Sequence, residues 1–409
     1  MVEATTTVKR SAIVVALGVV GALTLGVALA AGSLGLAGGA PSASPVAVAS
    51  DVPPTPSPNP TPSPTASPSP TPGPTPVPTP TPIPTPTTVP APLTGALVTP
   101  DVARRHPIAV MIDDLRAARP QSGLSLADVV WHAPAEGGIP RYMAIFQTNL
   151  PEAIGPVRSS RYYYITWAAE WRAIYAHSGG SPQALEVLRA KGSGQYVYNA
   201  DEFRWGGRYF HRITARFAPH NVYTDGATLR KLGSRIGADD GTYKPAWLFA
   251  PDASLQSRPA GSTIHVVYPA NVIDYRYDRA SNTYRRSVTG ESKQTDAATD
   301  KEVAPKNVVV MLMSFGPLND GHPGKKRLEA KVVGSGKAWI ATNGKTIVGT
   351  WKKSSVTGPT RFYDKSGKQV TLTVGQTFIQ VMPLGSTVTI KAGTYVSPQE
   401  RRGITPTDP

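Results

Sequence analysis

Apolar and polar positions along the chain fall into three regimes. From Ser11 to Ser50 no residue is charged, and the stretch AIVVALGVVGALTLGVALAA is almost wholly apolar. From Pro53 to Pro92, Thr-Pro and Ser-Pro repeat with almost nothing able to fill a core. A globular pattern begins only near His106. There PIAVMID, VVWHAPAE, RYMAIFQT and AIYAHS read as strands. SSRYYYITWAAEW, SPQALEVLRAK and a stretch from about Thr224 to Ile236 read as helices. Ser181 stands where a helix N-cap belongs and Pro182 at the first helical position. Ser125-Leu126-Ala127-Asp128 has the spacing of a capping box and predicts a further short helix.

After residues 245–262 the texture changes. STIHVVYP, NVIDYRYD, NTYRRSV, NVVVMLMSF, RLEAKVVG, KAWIAT, KTIVGTW, TRFYD, TFIQVMP and TVTI follow as successive strands. Asn343-Gly344 between two of them is a two-residue hairpin signal. The pattern predicts an α+β protein. A mixed α/β layered domain spans 101–250, an antiparallel β-rich domain spans 262–390, and 391–409 is a tail. Ahead of them stand a cytoplasmic stretch 1–10, an apolar helix over 11–36 and a disordered Pro/Thr-rich linker over 41–98.

At 1.5 Å per residue, about 20 apolar residues match the roughly 30 Å hydrocarbon core of a bilayer. Lys9 and Arg10 put the preceding end in the cytoplasm. Ala28-Leu29-Ala30 and Ala47-Val48-Ala49 would serve as cleavage sites for a secretory signal, but the apolar run exceeds a typical signal core. An uncleaved single-pass anchor with an extracellular body is the expectation, and a secreted body the alternative. The chain has no cysteine, so it offers neither a lipid-modified thiol nor a disulfide. A Thr/Pro tract prefers polyproline II, and 40 residues at 3.1 Å each reach on the order of 120 Å.

Lys and Arg number 42 against 27 Asp and Glu, a formal charge of +15. Glu3, Lys9, Arg10 and Asp51 cancel within the first hundred residues, so the whole excess belongs to the body. Such a surface attracts polyanions. Outside a membrane these are phosphate-bearing wall polymers and lipid head groups. No zinc spacing, helix-turn-helix or basic–aromatic RNA signature points to specific nucleic acid.

Polar residues of the α/β half gather at strand ends and loops, where such sheets build sites. The candidates are Asp113, Arg119, Gln121, Ser122, Glu136, Arg141, Arg158, Ser159, Arg161, His177, Ser178, Ser181, His220 and Asn221. Gly179-Gly180-Ser181 joins a strand to a helix start, a geometry that suits a phosphate or carboxylate. Arg158 and Arg161 flank another helix start, where cations oppose the dipole. An acid such as Asp113 or Glu136, or an anionic ligand, must offset them. Guanidinium forks grip phosphate bidentately. Asp113 and Asp114 nearby would admit a divalent cation, although no metal-ligand spacing is present. The residues leave the cofactor unassigned and the presence of catalysis open. A phosphotransferase or hydrolase on phosphate-containing envelope material is the enzymatic alternative, and a scaffold for a protein partner the structural one.

Several of these motifs stand in a familiar order: PIAVMIDD, ARPQSGLSLADVV, EGGIPRYMAIFQ, IGPVRSSR, IYAHSGGSPQAL and APHNVYT, then VGSGKAWI, GTWKK, PTRFYD and GQTFIQV. The chain resembles the YerB-like family of bacterial surface proteins over about residues 101–385. The resemblance implies an α+β N-terminal module with a β-rich C-terminal one, and brings no established reaction. Family members of this kind are typically lipoproteins, a pattern from which this chain departs by lacking the cysteine.

Overall fold

The computed structural model describes residues 87–395. The apolar segment 11–36, most of the 41–98 linker and the end of the tail lie outside them. Among the described residues no helix is long and apolar enough to cross a membrane.

Fourteen strands carry the architecture. β1 (Ile108–Asp113), β2 (Val129–Ala133), β3 (Arg141–Phe146), β4 (Ile174–His177) and β5 (Tyr198–Asp201) come from the first half. The second half supplies β6 (Thr263–Val267), β7 (Val272–Asp278), β8 (Thr283–Val288), β9 (Asn307–Met313) and β10 (Gly334–Thr342). It continues with β11 (Lys345–Lys353), β12 (Arg361–Asp364), β13 (Thr377–Pro383) and β14 (Val388–Lys391). The helices are α1 (Pro100–Arg104), α2 (Tyr162–Ala168), α3 (Pro182–Arg189), α4 (Glu202–Trp205) and α5 (Gly226–Arg235).

Both halves build one ten-stranded sheet, in the order β12-β11-β10-β9-β13-β2-β3-β1-β4-β5. The seam is β13 against β2, parallel, with Thr377 opposite Val129 and Gln380 opposite His132. β9 to β12 form the antiparallel meander that the strand texture predicts, whereas β13 runs parallel to both of its neighbours. Asn343 and Gly344 take φ of +51° and +73° between β10 and β11. A primed turn requires left-handed backbone at both central positions, which explains the Asn-Gly pair.

Alternating residues of the central strands feed two cores, as the period of two demands. Trp131, Met143, Ile145, Met311 and Ile379 meet α2 and α3 on one face, where the Trp131 and Trp167 rings stack 4.5 Å apart. Val110, Val130, Ala144, Val310 and Phe378 face the other way. A second sheet, β8-β7-β6-β14, covers them with Ile264, Val266, Ile273 and Tyr284, and α5 adds Leu229 and Leu232. The residue pattern of β8 shows why: Tyr284, Arg286 and Val288 point inward while Arg285 is exposed.

The Ser125–Asp128 motif does not open an α-helix. Leu124–Leu126 form a single 3-10 turn, and the Ser125 N–H donates to Asp296 at 2.7 Å. Asp128 instead braces the far end of β3. Its carboxylate accepts from the N–H groups of Gln147 and Thr148, at 2.5 and 2.8 Å, and from the Thr148 hydroxyl. Burial pushes the carboxyl from 3.8 up to about 6, against the pull of those donors. The folded state therefore holds a proton that the unfolded chain releases near pH 4. This contribution to stability is complete below about pH 4 and is lost as pH rises through about 6. Urea unfolding of wild type and Asp128→Asn should diverge in slope between pH 4 and 6, with the variant flatter. Parallel profiles would contradict this placement.

Candidate functional site

β1, β4 and β5 run parallel and end on the same edge, the carboxyl edge where α/β sheets place ligands. Asp113 closes β1, His177 closes β4 with Ser178 after it, and Asp201 closes β5 with Glu202 after it. The segment 154–160 runs beside this edge, with Arg158 N–H donating to the Met111 carbonyl.

A closed circuit of contacts surrounds the edge. His220 Nδ1 lies 2.7 Å from Asp113 Oδ2, and Arg158 Nε lies 2.9 Å from the same oxygen without its N–H aimed at it. Leu115 N–H donates to the other Asp113 oxygen at 3.0 Å, which fixes the carboxylate. Next to His220, Asn221 Oδ1 accepts from Arg212 at 2.9 Å. Arg212 also reaches Glu202 at 3.2 Å, and Glu202 accepts from the Ser178 hydroxyl at 2.9 Å. Ser178 N–H closes the ring on the Arg158 carbonyl at 3.1 Å.

A second cluster adjoins it. Arg161 grips Glu136 with two nitrogens, one at 2.5 Å. Arg141 donates to the carbonyl and hydroxyl of Ser159, at 2.6 and 3.0 Å, and stays 3.9 Å from Glu136. Burial, then the adjacent Arg161, with Arg158 adding and Glu136 opposing, bring the Arg141 guanidinium down to about 10. Burial works to raise the Glu136 carboxyl, but Arg161 and Arg141 outweigh it and hold the group below its ordinary range. Four guanidiniums (Arg141, Arg158, Arg161, Arg212) thus meet three carboxylates (Asp113, Glu136, Glu202). Asp201, a fourth acid on this edge, is taken up by the N–H groups of Gly179 and Phe203, while Arg141 comes no nearer than 3.9 Å to its acid.

The remaining candidates lie inside the fold. Arg119 donates to Asp114 at 3.3 Å, and Gln121 donates to the Asp113 carbonyl at 2.9 Å. Ser122 is buried and pairs backbone to backbone with Gly155. His177 is buried between the Gly179 carbonyl and Asn199, each at 2.8 Å. Ser181 caps α3 by accepting from Ala184, the role its sequence position implies. The N–H groups of Gly179 and Ser181 are also occupied, by Asp201 and the Ser160 carbonyl. That helix start therefore does not present them to a ligand. Hollows of about 630, 800 and 640 Å³ lie elsewhere on the body.

Arg119 belongs to a polar network sealed between the two sheets. Asp114 accepts from Tyr142 at 3.1 Å and Asn271 at 2.7 Å, and its Oδ2 lies 2.9 Å from His132 Nε2. Arg286, fully buried, donates to Tyr275 and Tyr142 at 3.0 Å and to Gln294. Burial works to raise the Asp114 carboxyl, but His132, Arg119 and Arg286 hold it below its ordinary value. Sequence reasoning named Asp114, Arg119 and Gln121 but did not join them to His132, Tyr142, Asn271 and Arg286, and it missed Glu202 and Arg212 in the surface circuit. Inward alternation in β8 is the one signal that would have flagged Arg286. Among the described residues no group of three His, Cys, Asp or Glu is placed to hold a metal ion.

Residues 93–239 match the N-terminal domain, and residues 264–379 the C-terminal domain, of the family described as "Protein of unknown function (DUF3048)". The chain belongs to this family. A Bacillus subtilis protein, YerB, whose name marks it as a candidate lipoprotein, is 33% identical over 299 residues. That alignment covers 71% of this chain and 85% of the relative. The crystal structure of YerB from Bacillus subtilis superposes with a TM-score of 0.64 at 30% identity, covering 73% of this chain and 99% of that one. The YerB-like resemblance and the α+β architecture both stand. The family's two matched segments meet here in a single sheet through β13 and β2.

Proposed function

We propose that this YerB-like protein is membrane-associated, works outside the cytoplasm, and binds an anionic, phosphate-bearing envelope ligand at the carboxyl-edge circuit. The observation that carries the reading is the convergence of the Arg141 and Arg158 guanidiniums beside Ser159 at the strand ends, with Arg141 no nearer than 3.9 Å to an acid. The terminal nitrogens of Arg158 have no hydrogen-bond partner among the described residues, and its side chain is part-exposed. The uncharged run before residue 51 and the name of the Bacillus subtilis relative support the location.

Binding of a glycerol-phosphate polymer to the full-length chain tests the site. Arg158→Ala should weaken binding about tenfold, the loss of one charge-assisted contact. Asp113→Asn should strengthen it, because the carboxylate nearest Arg158 is neutralised. Unchanged affinity in both would overturn the reading.

A second reading rests on His220. Asp113 holds its Nδ1, while Nε2 has no hydrogen-bond partner among the described residues, the arrangement of an oriented general base. Turnover of a phosphodiester that His220→Gln abolishes, with binding retained, would favour an envelope hydrolase.

A further inference from the structure

The stretch Phe203–Phe217, FRWGGRYFHRITARF, carries an arginine at every fourth position from Arg204 to Arg216. Tyr209 and Phe210 turn into the core. Phe203 and Phe217 do the opposite and stay 73% and 93% exposed. Burying a phenylalanine is ordinarily favourable, so two left in water on one segment call for a partner. Both stand on the carboxyl edge: Phe203 follows Glu202, and Phe217 accepts the His220 N–H at its carbonyl.

Cations lie on the same segment and beside it. Arg204 and Arg235 lie over the Trp205 ring at 5.0 and 5.4 Å, and Arg208 lies over Tyr209 at 5.6 Å. Arg216 donates to the Pro120 carbonyl. Among the described residues none of these four forms an ion pair; of the two acids just before the segment, Glu202 is engaged by Arg212 and Ser178, and Asp201 by the N–H groups of Gly179 and Phe203. A hollow of about 290 Å³ beside Phe203 has Arg189 and Arg204 on its wall together with Asp201, whose carboxylate is taken up by the Gly179 and Phe203 N–H groups.

We propose that Phe203 and Phe217, together with Arg204, Arg208 and Arg216 of the same segment and Arg235 beside it, dock this edge of the body onto an anionic lipid surface. Exposed aromatic rings enter the head-group boundary while arginines stay at the phosphates, the division of labour of interfacial segments. A soluble polymer would leave the two rings in water, which is why a bilayer fits better. The inference stands whether or not the circuit takes a ligand.

The chain lacks cysteine, so Ala215→Cys in the full-length protein accepts a single environment-sensitive fluorophore at an exposed position. The label, rather than bulk binding, is read because the apolar run before residue 51 would hold the chain on any vesicle. In vesicles of phosphatidylcholine with phosphatidylglycerol the emission should shift to the blue, and in phosphatidylcholine alone it should not. Phe203→Ser with Phe217→Ser should abolish the shift, and Arg204→Gln with Arg208→Gln and Arg235→Gln should weaken lipid partitioning at least tenfold. No shift on anionic vesicles, or an equal shift in the serine variant, would overturn the proposal. So would an equal shift with soluble polyphosphate and no vesicles, which would assign the surface to a polymer.

Discussion

Asp114→Ala should destabilise the folded body by about 3–5 kcal/mol, the cost of leaving buried charge without its counterion. Asp114 is the carboxylate hydrogen-bonded within the sealed network, and it faces Arg119, His132, Tyr142 and Asn271 at once. Arg286 lies in the same space and adds its field. Removing the carboxylate takes the counterion from Arg119 and Arg286 and leaves His132, Tyr142 and Asn271 without their shared partner between the sheets. The depressed Asp114 carboxyl also contributes stability above its unfolded value of 3.8, lost as pH falls through the lower folded one. Urea midpoints at pH 7 measure the main effect. A loss under about 1 kcal/mol would mean that the network relaxes or hydrates.

Glu170→Ala should cost a similar amount, about 3–5 kcal/mol, for the same reason at a different joint. Glu170 follows α2, and its carboxylate is fully buried against Lys353 of β11, Nζ to Oε1 at 2.9 Å. It also accepts from the N–H and hydroxyl of Thr360, at 3.1 and 2.6 Å. One acid thus clamps the first half of the chain to two points of the second. Removing it leaves Lys353 Nζ with the Gly358 carbonyl as its remaining partner. Glu170→Leu with Lys353→Met should recover much of the loss, because apolar pairs of similar volume replace buried ion pairs well. A double variant as unstable as Glu170→Ala would instead assign the cost to Thr360.

Element identity was legible because each strand writes its own period. Thr283–Val288 alternates so regularly that even the inward aim of Arg286 follows from it. The Asn343-Gly344 turn and the Ser181-Pro182 helix start were equally local and equally readable. Pairing across the chain has no such signature. Nothing in TFIQVMP indicates that Gln380 will lie opposite His132, 248 residues away. The continuous sheet therefore had to be seen.

The candidate site divides on the same line. Loop position put Asp113, Arg158, Ser178, His220 and Asn221 in one list, and the fold joins all five in one circuit of contacts, since the carboxyl edge of a parallel sheet gathers such residues. Which arginines would be neutralised was not readable, because Asp113 finds His220 at a separation of 107 residues and Arg161 finds Glu136 across 25. Exposure was hidden too: Phe210 and Phe217 sit in the same arginine-rich run, yet one is core and the other surface.

The central claim is that anion recognition depends on where the positive charge sits, and calorimetric titration of the full-length chain with a glycerol-phosphate polymer at about 0.15 M salt tests it. Arg141→Gln with Arg158→Gln removes two charges from the carboxyl edge. Arg276→Gln with Lys293→Gln removes two from the basic hollow on the outer face of the four-stranded sheet. The predicted result is at least a tenfold loss of affinity in the first pair and little change in the second. Equal losses in both would show that only the overall charge of the body matters, and would contradict a site at Arg141 and Arg158.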